Sequence, residues 1–279
     1  MVSGPEARLG GVTRWVGVAG GRIAVEVSGT GPALILLHGW TLDRRMWAAQ
    51  HGALSSRFQM VTLDRRGFGQ STAPFAPSHE GDDIVRIADA LGLDGFALIG
   101  MSQAGSAAIL CARHHRDRVA ALVLQGISLA DVPDTGPEDE RIPLDSYTRW
   151  ARAGRLGDLR AHWQRHALMA GLSGASRDRC MAMLVDYDAR DLIAPAGPGA
   201  PGAGRDDVRD LPMPVLAITG ARDTAWRRQV TQAAGSCAPD GRAVLIPGAG
   251  HLCNMTHPET YNAEVKAFLL TAAAHHAAA

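Results

Sequence analysis

Short aliphatic and β-branched runs recur along the chain at residues 22–27, 33–37, 60–63, 96–99, 119–124, 215–219 and 243–246. Between them lie longer stretches in which apolar residues return every three or four positions, at 44–56, 82–91, 103–115, 226–237 and 258–270. The first pattern predicts strands and the second amphipathic helices. Their alternation calls for crossover connections, and runs that are apolar throughout suit strands buried on both faces. The expected fold class is therefore α/β, a mostly parallel central sheet flanked by helices.

The alternation stops between residues 129 and 210. No strand-like run occurs there, and Tyr147, Trp150, Leu156, Leu159, Trp163, Met169, Met181 and Leu184 recur at helical spacing. The division that follows is a sheet-and-helix core at 1–128 and 211–279, with a helical lid inserted at 129–210. Residues 194–204 contain four glycines and three prolines, through which neither helix nor strand propagates. They are expected to form a mobile loop returning the chain from lid to core. The tail from Ala272, with His275 and His276, reads as a fraying helix end rather than a metal site.

Composition narrows the function. The 279 residues are enough for one large or two small domains, with a substantial buried core. Lys and Arg together number 28, equal to Asp and Glu, and the basic residues are scattered, so no footprint for nucleic acid is expected. The N-terminal residues have no apolar signal region, and no run approaches the roughly 18 apolar residues of a membrane span. The expectation is a cytoplasmic protein without a membrane partner, a monomer or homodimer. Cys111, Cys180, Cys237 and Cys253 lack metal-ligand spacing and are expected to be reduced thiols.

The chemistry concentrates at strand ends. Gly100-Met101-Ser102-Gln103-Ala104-Gly105 places a serine between small residues, directly after one strand and before a helix, the layout of a nucleophile elbow. Ala104 stands where the five-residue Gly-x-Ser-x-Gly form has its second glycine, which predicts slight crowding rather than loss of the turn. A serine needs a base and an orienting acid to react. His251, in the glycine-rich loop after the last strand, is the candidate base. Asp223, just past the strand at 215–219, is the candidate acid, whereas the other eligible strand end reads Gln125-Gly126-Ile127-Ser128 and offers no carboxylate. The backbone N–H groups of Trp40 and Gln103 are the candidate oxyanion donors, and His38 reads as a brace for the Trp40 loop. His162 and His166 have an i, i+4 spacing but no further ligand pattern, so lid packing is expected of them. Cys253 reads as a small buried residue.

With these residues in view, the chain resembles the α/β-hydrolase fold over nearly its whole length. The matching segments are the elbow, His38-Gly39-Trp40, the turn from Asp64 to Ser71, Gly220-Ala-Arg-Asp223 and Gly250-His251-Leu252-Cys253-Asn254. The lidded esterase and lactonase branch is the most similar, and residues 248–259 are similar to the corresponding segment of 3-oxoadipate enol-lactonase-like proteins. The resemblance assigns the Asp64 to Ser71 turn a structural role and implies the triad order serine, acid, histidine.

The expected activity is hydrolysis of a small-molecule carboxylic ester or lactone through Ser102, Asp223 and His251, without metal or organic cofactor. Carbon–carbon bond hydrolysis, perhydrolysis, and acyl transfer or cyclisation are alternatives on the same triad. A ligand-binding receptor with vestigial turnover is an alternative of another class. Aspartate-nucleophile branches, the dehalogenases and epoxide hydrolases, are disfavoured by the serine. In the lid, Tyr147, Trp150, Trp163, Met169 and Met181 are expected to form an apolar acyl pocket.

Overall fold

Continuous aliphatic runs bury both faces of a strand, and the centre of the sheet is built from them. In the computed structural model, which describes residues 12–194 and 202–278 with side chains to residue 274, all five residues of β3 (Ala33–Leu37) are buried. So are nearly all of β5 (Phe96–Met101), β6 (Val119–Gln125) and β7 (Val215–Gly220). Each fully buried leucine, isoleucine or valine contributes roughly 1.5–3 kcal/mol, so this core dominates the stability of the sheet.

The sheet has eight strands in the order β1-β2-β4-β3-β5-β6-β7-β8. β1 (Thr13–Val18) and β2 (Gly21–Ser28) are antiparallel to each other, and β2 is antiparallel to β4 (Gln59–Leu63). From β4 to β8 (Gly241–Ile246) every pairing is parallel. The sequence pattern does not reveal β1, because Thr13-Arg-Trp-Val-Gly-Val has no aliphatic run and lies at the exposed sheet edge.

Helices α1 (Ala48–Leu54), α2 (Glu80–Ala90) and α3 (Gly105–His114) follow β3, β4 and β5. Between β6 and β7 lie α4 (Leu144–Arg152), α5 (Leu156–Trp163), α6 (Gly174–Asp186), α7 (Arg190–Ile193) and α8 (Arg205–Arg209), with no strand among the described residues. Then come α9 (Ala225–Cys237), the short α10 (Cys253–Thr256) and α11 (Pro258–Ala278). The alanine-rich tail keeps α11 helical to residue 278, eight residues past the expected end at 270. The return loop expected at 194–204 falls largely outside the described residues, as do the side chains of His275 and His276. None of the described helices is long and apolar enough to cross a membrane.

Parallel pairing brings the C-terminal ends of β3, β5, β6, β7 and β8 to one edge, where ligands of open α/β sheets bind. Leu37 is opposite Gly100 and Gly100 opposite Leu124, so the loops after β3, β5 and β6 emerge side by side. Above that edge sit the inserted helices, with Tyr147, Trp163 and Tyr187 all meeting the ring of Trp40.

Candidate active site

Ser102 directly follows β5 in the left-handed region, at φ +53°, and a 3-10 turn over Ser102–Ala104 leads into α3. A non-glycine residue rarely adopts that conformation, and it does so here in a tightly packed turn. Gly105 supplies the room: a Cβ there would come within 2.4 Å of Ile127 Cγ2. Ala104 is fully buried and the turn forms with its methyl group in place, so the departure from glycine is accommodated.

His251 follows β8, and its Nδ1 lies 2.8 Å from Asp223 Oδ2. With Nδ1–H donating to the carboxylate, Nε2 remains as an acceptor. Asp223 is held from several sides. Thr219 Oγ1 donates to Oδ2 at 2.5 Å, Thr224 N–H donates to Oδ1 at 2.7 Å, and the Arg228 guanidinium bonds the Asp223 carbonyl. Burial opposes the carboxylate charge, but the neighbouring His251 and the hydrogen bonds from His251 and Thr219 outweigh it, holding Asp223 below its ordinary pKa.

Ser102 and His251 face one small cavity of about 20 Å³, lined otherwise by Trp40, Leu42, Met101, Ile142, Trp163, Leu168, Met169 and Leu252. No hydrogen bond joins the two side chains directly among the described residues. Such bonds often tighten only once substrate is bound. Trp163 and Met169, of the five aromatic and methionine residues expected to line an acyl pocket, lie on this cavity. Tyr147 is instead fully buried outside its lining, bonded through its hydroxyl to His162 Nδ1 at 2.8 Å, and Trp150 and Met181 pack half-buried against the core. Helical spacing identifies a buried face without saying what covers it.

The Trp40 loop is fixed by His38, which is fully buried. Its Nδ1–H donates to Gly39 O at 2.8 Å and its Nε2 accepts Arg65 N–H at 2.9 Å. Burial and the positive charge of Arg65 lower its pKa to about 3, so it is a neutral brace. Arg65 also donates to Gln103 Oε1 at 3.1 Å and pairs with Glu80, tying the loop after β4 to the elbow. The rest of the Asp64 to Ser71 turn is structural hydrogen bonding: Asp64 pairs with Arg44 and accepts Gln70 N–H, while Arg66 holds Asp83 through two bonds.

Several contributors have no sequence signal. Gln125 Nε2 donates to Asn254 Oδ1 at 2.9 Å, and Gln50 Nε2 donates to Asn254 O and Asn262 Oδ1, forming a buried amide network under the His251 loop. Asp191 accepts the Trp40 indole N–H from 151 positions away. His166 stacks on Trp163 and bonds Arg141 O, consistent with packing rather than ligation. Among the described residues no group of three or more His, Cys, Asp or Glu side chains could hold a metal. Cys253 is fully buried and burial pushes its thiol above the ordinary range; all four cysteines are free.

Residues 34–264 match the family model described as the alpha/beta hydrolase family. The chain belongs to that family. Among the proteins this alpha/beta hydrolase is similar to, a putative carbamate hydrolase RutD of Caulobacter sp. (strain K31) is 30% identical over 270 residues, covering 88% of this chain and 94% of that protein. A pimeloyl-(acyl-carrier protein) methyl ester esterase of Aromatoleum aromaticum is 29% identical, with 82% and 94% covered. Among solved structures, a thermophilic esterase from Thermogutta terrifontis superposes with a TM-score of 0.76 at 25% identity, over 94% of this chain and 99% of that one. The enol-lactonase from Burkholderia xenovorans LB400 gives 0.76 at 20% identity, over 92% and 100%, a likeness of fold.

Proposed function

We propose that this alpha/beta hydrolase is a serine hydrolase that cleaves a small carboxylic ester or lactone, with the inserted helices at 129–210 acting as its lid. The observation that carries the proposal is the shared cavity: Ser102, held at a left-handed turn, faces the same space as His251, whose other ring nitrogen is bound by the buried Asp223. Relatives named as a carbamate hydrolase and a methyl ester esterase support acyl chemistry.

In this reading His251 Nε2 takes the proton of Ser102 Oγ as the oxygen attacks the carbonyl carbon. The backbone N–H groups of Gln103 and Trp40 receive the developing oxyanion, and Asp223 stabilises the imidazolium. The leaving alkoxide takes the proton from His251. Water, deprotonated by the same imidazole, then releases the acid and regenerates Ser102. Indole, thioether and aliphatic side chains around the serine favour an apolar acyl group.

Turnover of a panel of p-nitrophenyl esters and lactones by wild type and Ser102→Ala tests the reading, alongside labelling with a fluorophosphonate. Loss of both turnover and labelling in the variant is expected. Retained turnover would refute the mechanism.

A further inference from the structure

The loop that carries Trp40 is gripped by two side chains from the inserted helices, at two consecutive residues. The indole Nε1–H of Trp40 donates to Asp191 Oδ2 at 2.8 Å, and Tyr187 donates its hydroxyl to Asp191 Oδ1 at 2.7 Å. One residue on, the indole Nε1–H of Trp163 donates to Thr41 Oγ1 at 2.8 Å. Thr41 is itself at φ +61°, a conformation a β-branched residue holds only where its surroundings fix it.

These contacts are buried and mutually supporting. Thr41 is 1% exposed and Asp191 8%. The Trp40 ring lies 4.8 Å from that of Trp163 and 6.0 Å from that of Tyr187, so the three donors are also placed by ring packing. Burial raises the pKa of Asp191 above the ordinary carboxylate value, and the hydrogen bonds from Tyr187 and Trp40 oppose that rise without cancelling it. From below, His38 and Arg65 hold the start of the same loop to the sheet, but they do not reach Thr41.

We propose that Asp191 and Trp163 are positioning residues for the oxyanion site: by fixing the Trp40 indole and the strained Thr41, they aim the Trp40 backbone N–H, so that the site is complete only while the inserted helices are seated. Closure of the lid and assembly of the oxyanion site are then one event. Asp191 acts through the loop alone; Trp163, whose ring also borders the cavity, acts on the loop through Thr41.

The assignment rests on the serine-hydrolase reading, and its test separates the two. In the full-length chain, Asp191→Ala should lower kcat by about ten- to hundredfold, the scale of a misplaced catalytic donor, with KM little changed. Binding of a trifluoromethyl ketone, whose adduct carries an oxyanion, should weaken by a similar factor. Asp191→Asn keeps a carbonyl acceptor for the Trp40 indole and should restore kcat to within about threefold. Asp191→Ala added to Trp40→Phe should have almost no further effect on kcat, because its bond to the loop is already gone.

If Asp191→Ala fails to fold, Thr41→Val, which removes the acceptor of the Trp163 indole N–H and leaves the Trp163 ring in place, gives the same readout. Unchanged kcat and ketone affinity in the folded variants, or additive losses in the double variant, would overturn the assignment. Failure of the serine-hydrolase reading shows separately, as turnover surviving Ser102→Ala in the otherwise unaltered chain.

Discussion

His251 Nδ1 and Asp223 Oδ2 stand 2.8 Å apart, and Asp223 is locked by Thr219 and Thr224 on both carboxylate oxygens. This fixes which ring nitrogen carries the proton. Asp223→Asn would present an amide N–H to Nδ1 or lose the bond, favouring the tautomer with the proton on Nε2. The expected outcome is a fall in kcat of about 10³ to 10⁴ with the fold intact, read by steady-state kinetics beside a thermal melt. A fall of less than tenfold would place the orienting acid elsewhere.

Gly126, after β6, is at φ +54°, and a Cβ there would sit 2.8 Å from both Cε1 and Nδ1 of His251. Gly126→Ala is therefore expected to displace the imidazole. Its kcat/KM should drop at least about tenfold, while stability falls by about 1–3 kcal/mol from the backbone conformation. Comparison of kcat/KM with the urea midpoint separates these effects, since a loss of stability alone leaves the folded fraction fully active.

Much of this arrangement is legible in the chain, and the limits are physical. β3, β5, β6 and β7 announce themselves because a strand buried on both faces has no polar position to interrupt its pattern. Ser102, Asp223 and His251 sit at strand ends, where a small-residue turn or glycine-rich loop marks the chain locally. β8 is under-read at its start, since Gly241 and Arg242 lie exposed at the sheet edge. Asp191 is silent for a different cause: its partner is Trp40, and no local pattern reports a bond across 151 positions. Trp150 and Met181 follow the same helical rhythm as Trp163, yet only Trp163 turns its ring to the cavity.

Met169 borders the cavity and is 5% exposed. Met169→Ala should enlarge the space beside Ser102, raising the ratio of hexanoyl to acetyl ester turnover by about tenfold or more, the value of a few methylenes in an apolar pocket. Trp150→Ala, at a residue that does not line the cavity, should leave that ratio unchanged. Relative kcat/KM values for the two p-nitrophenyl esters give the answer directly.

His38 links stability to pH. Its folded pKa is about 3, against 6.5 for the free side chain, because burial and Arg65 disfavour the imidazolium. Above pH 6.5 both states are neutral and its contribution is fully present. As pH falls from 6.5 toward 3, the unfolded chain binds a proton that the folded chain refuses, and stability declines by up to about 1.4 kcal/mol per pH unit. Urea midpoints at pH 7 and pH 5 should show a steeper acid loss in wild type than in His38→Gln. Equal slopes would show that His38 is protonated in the folded state.

Ser102 occupies a backbone conformation that every L-residue resists and glycine does not, at an expense of about 1–2 kcal/mol. Stability alone would select glycine at this position, and Ser102→Gly is the rare core substitution that relaxes the molecule rather than straining it. A hydroxyl kept where the backbone alone would favour glycine answers to a demand other than stability.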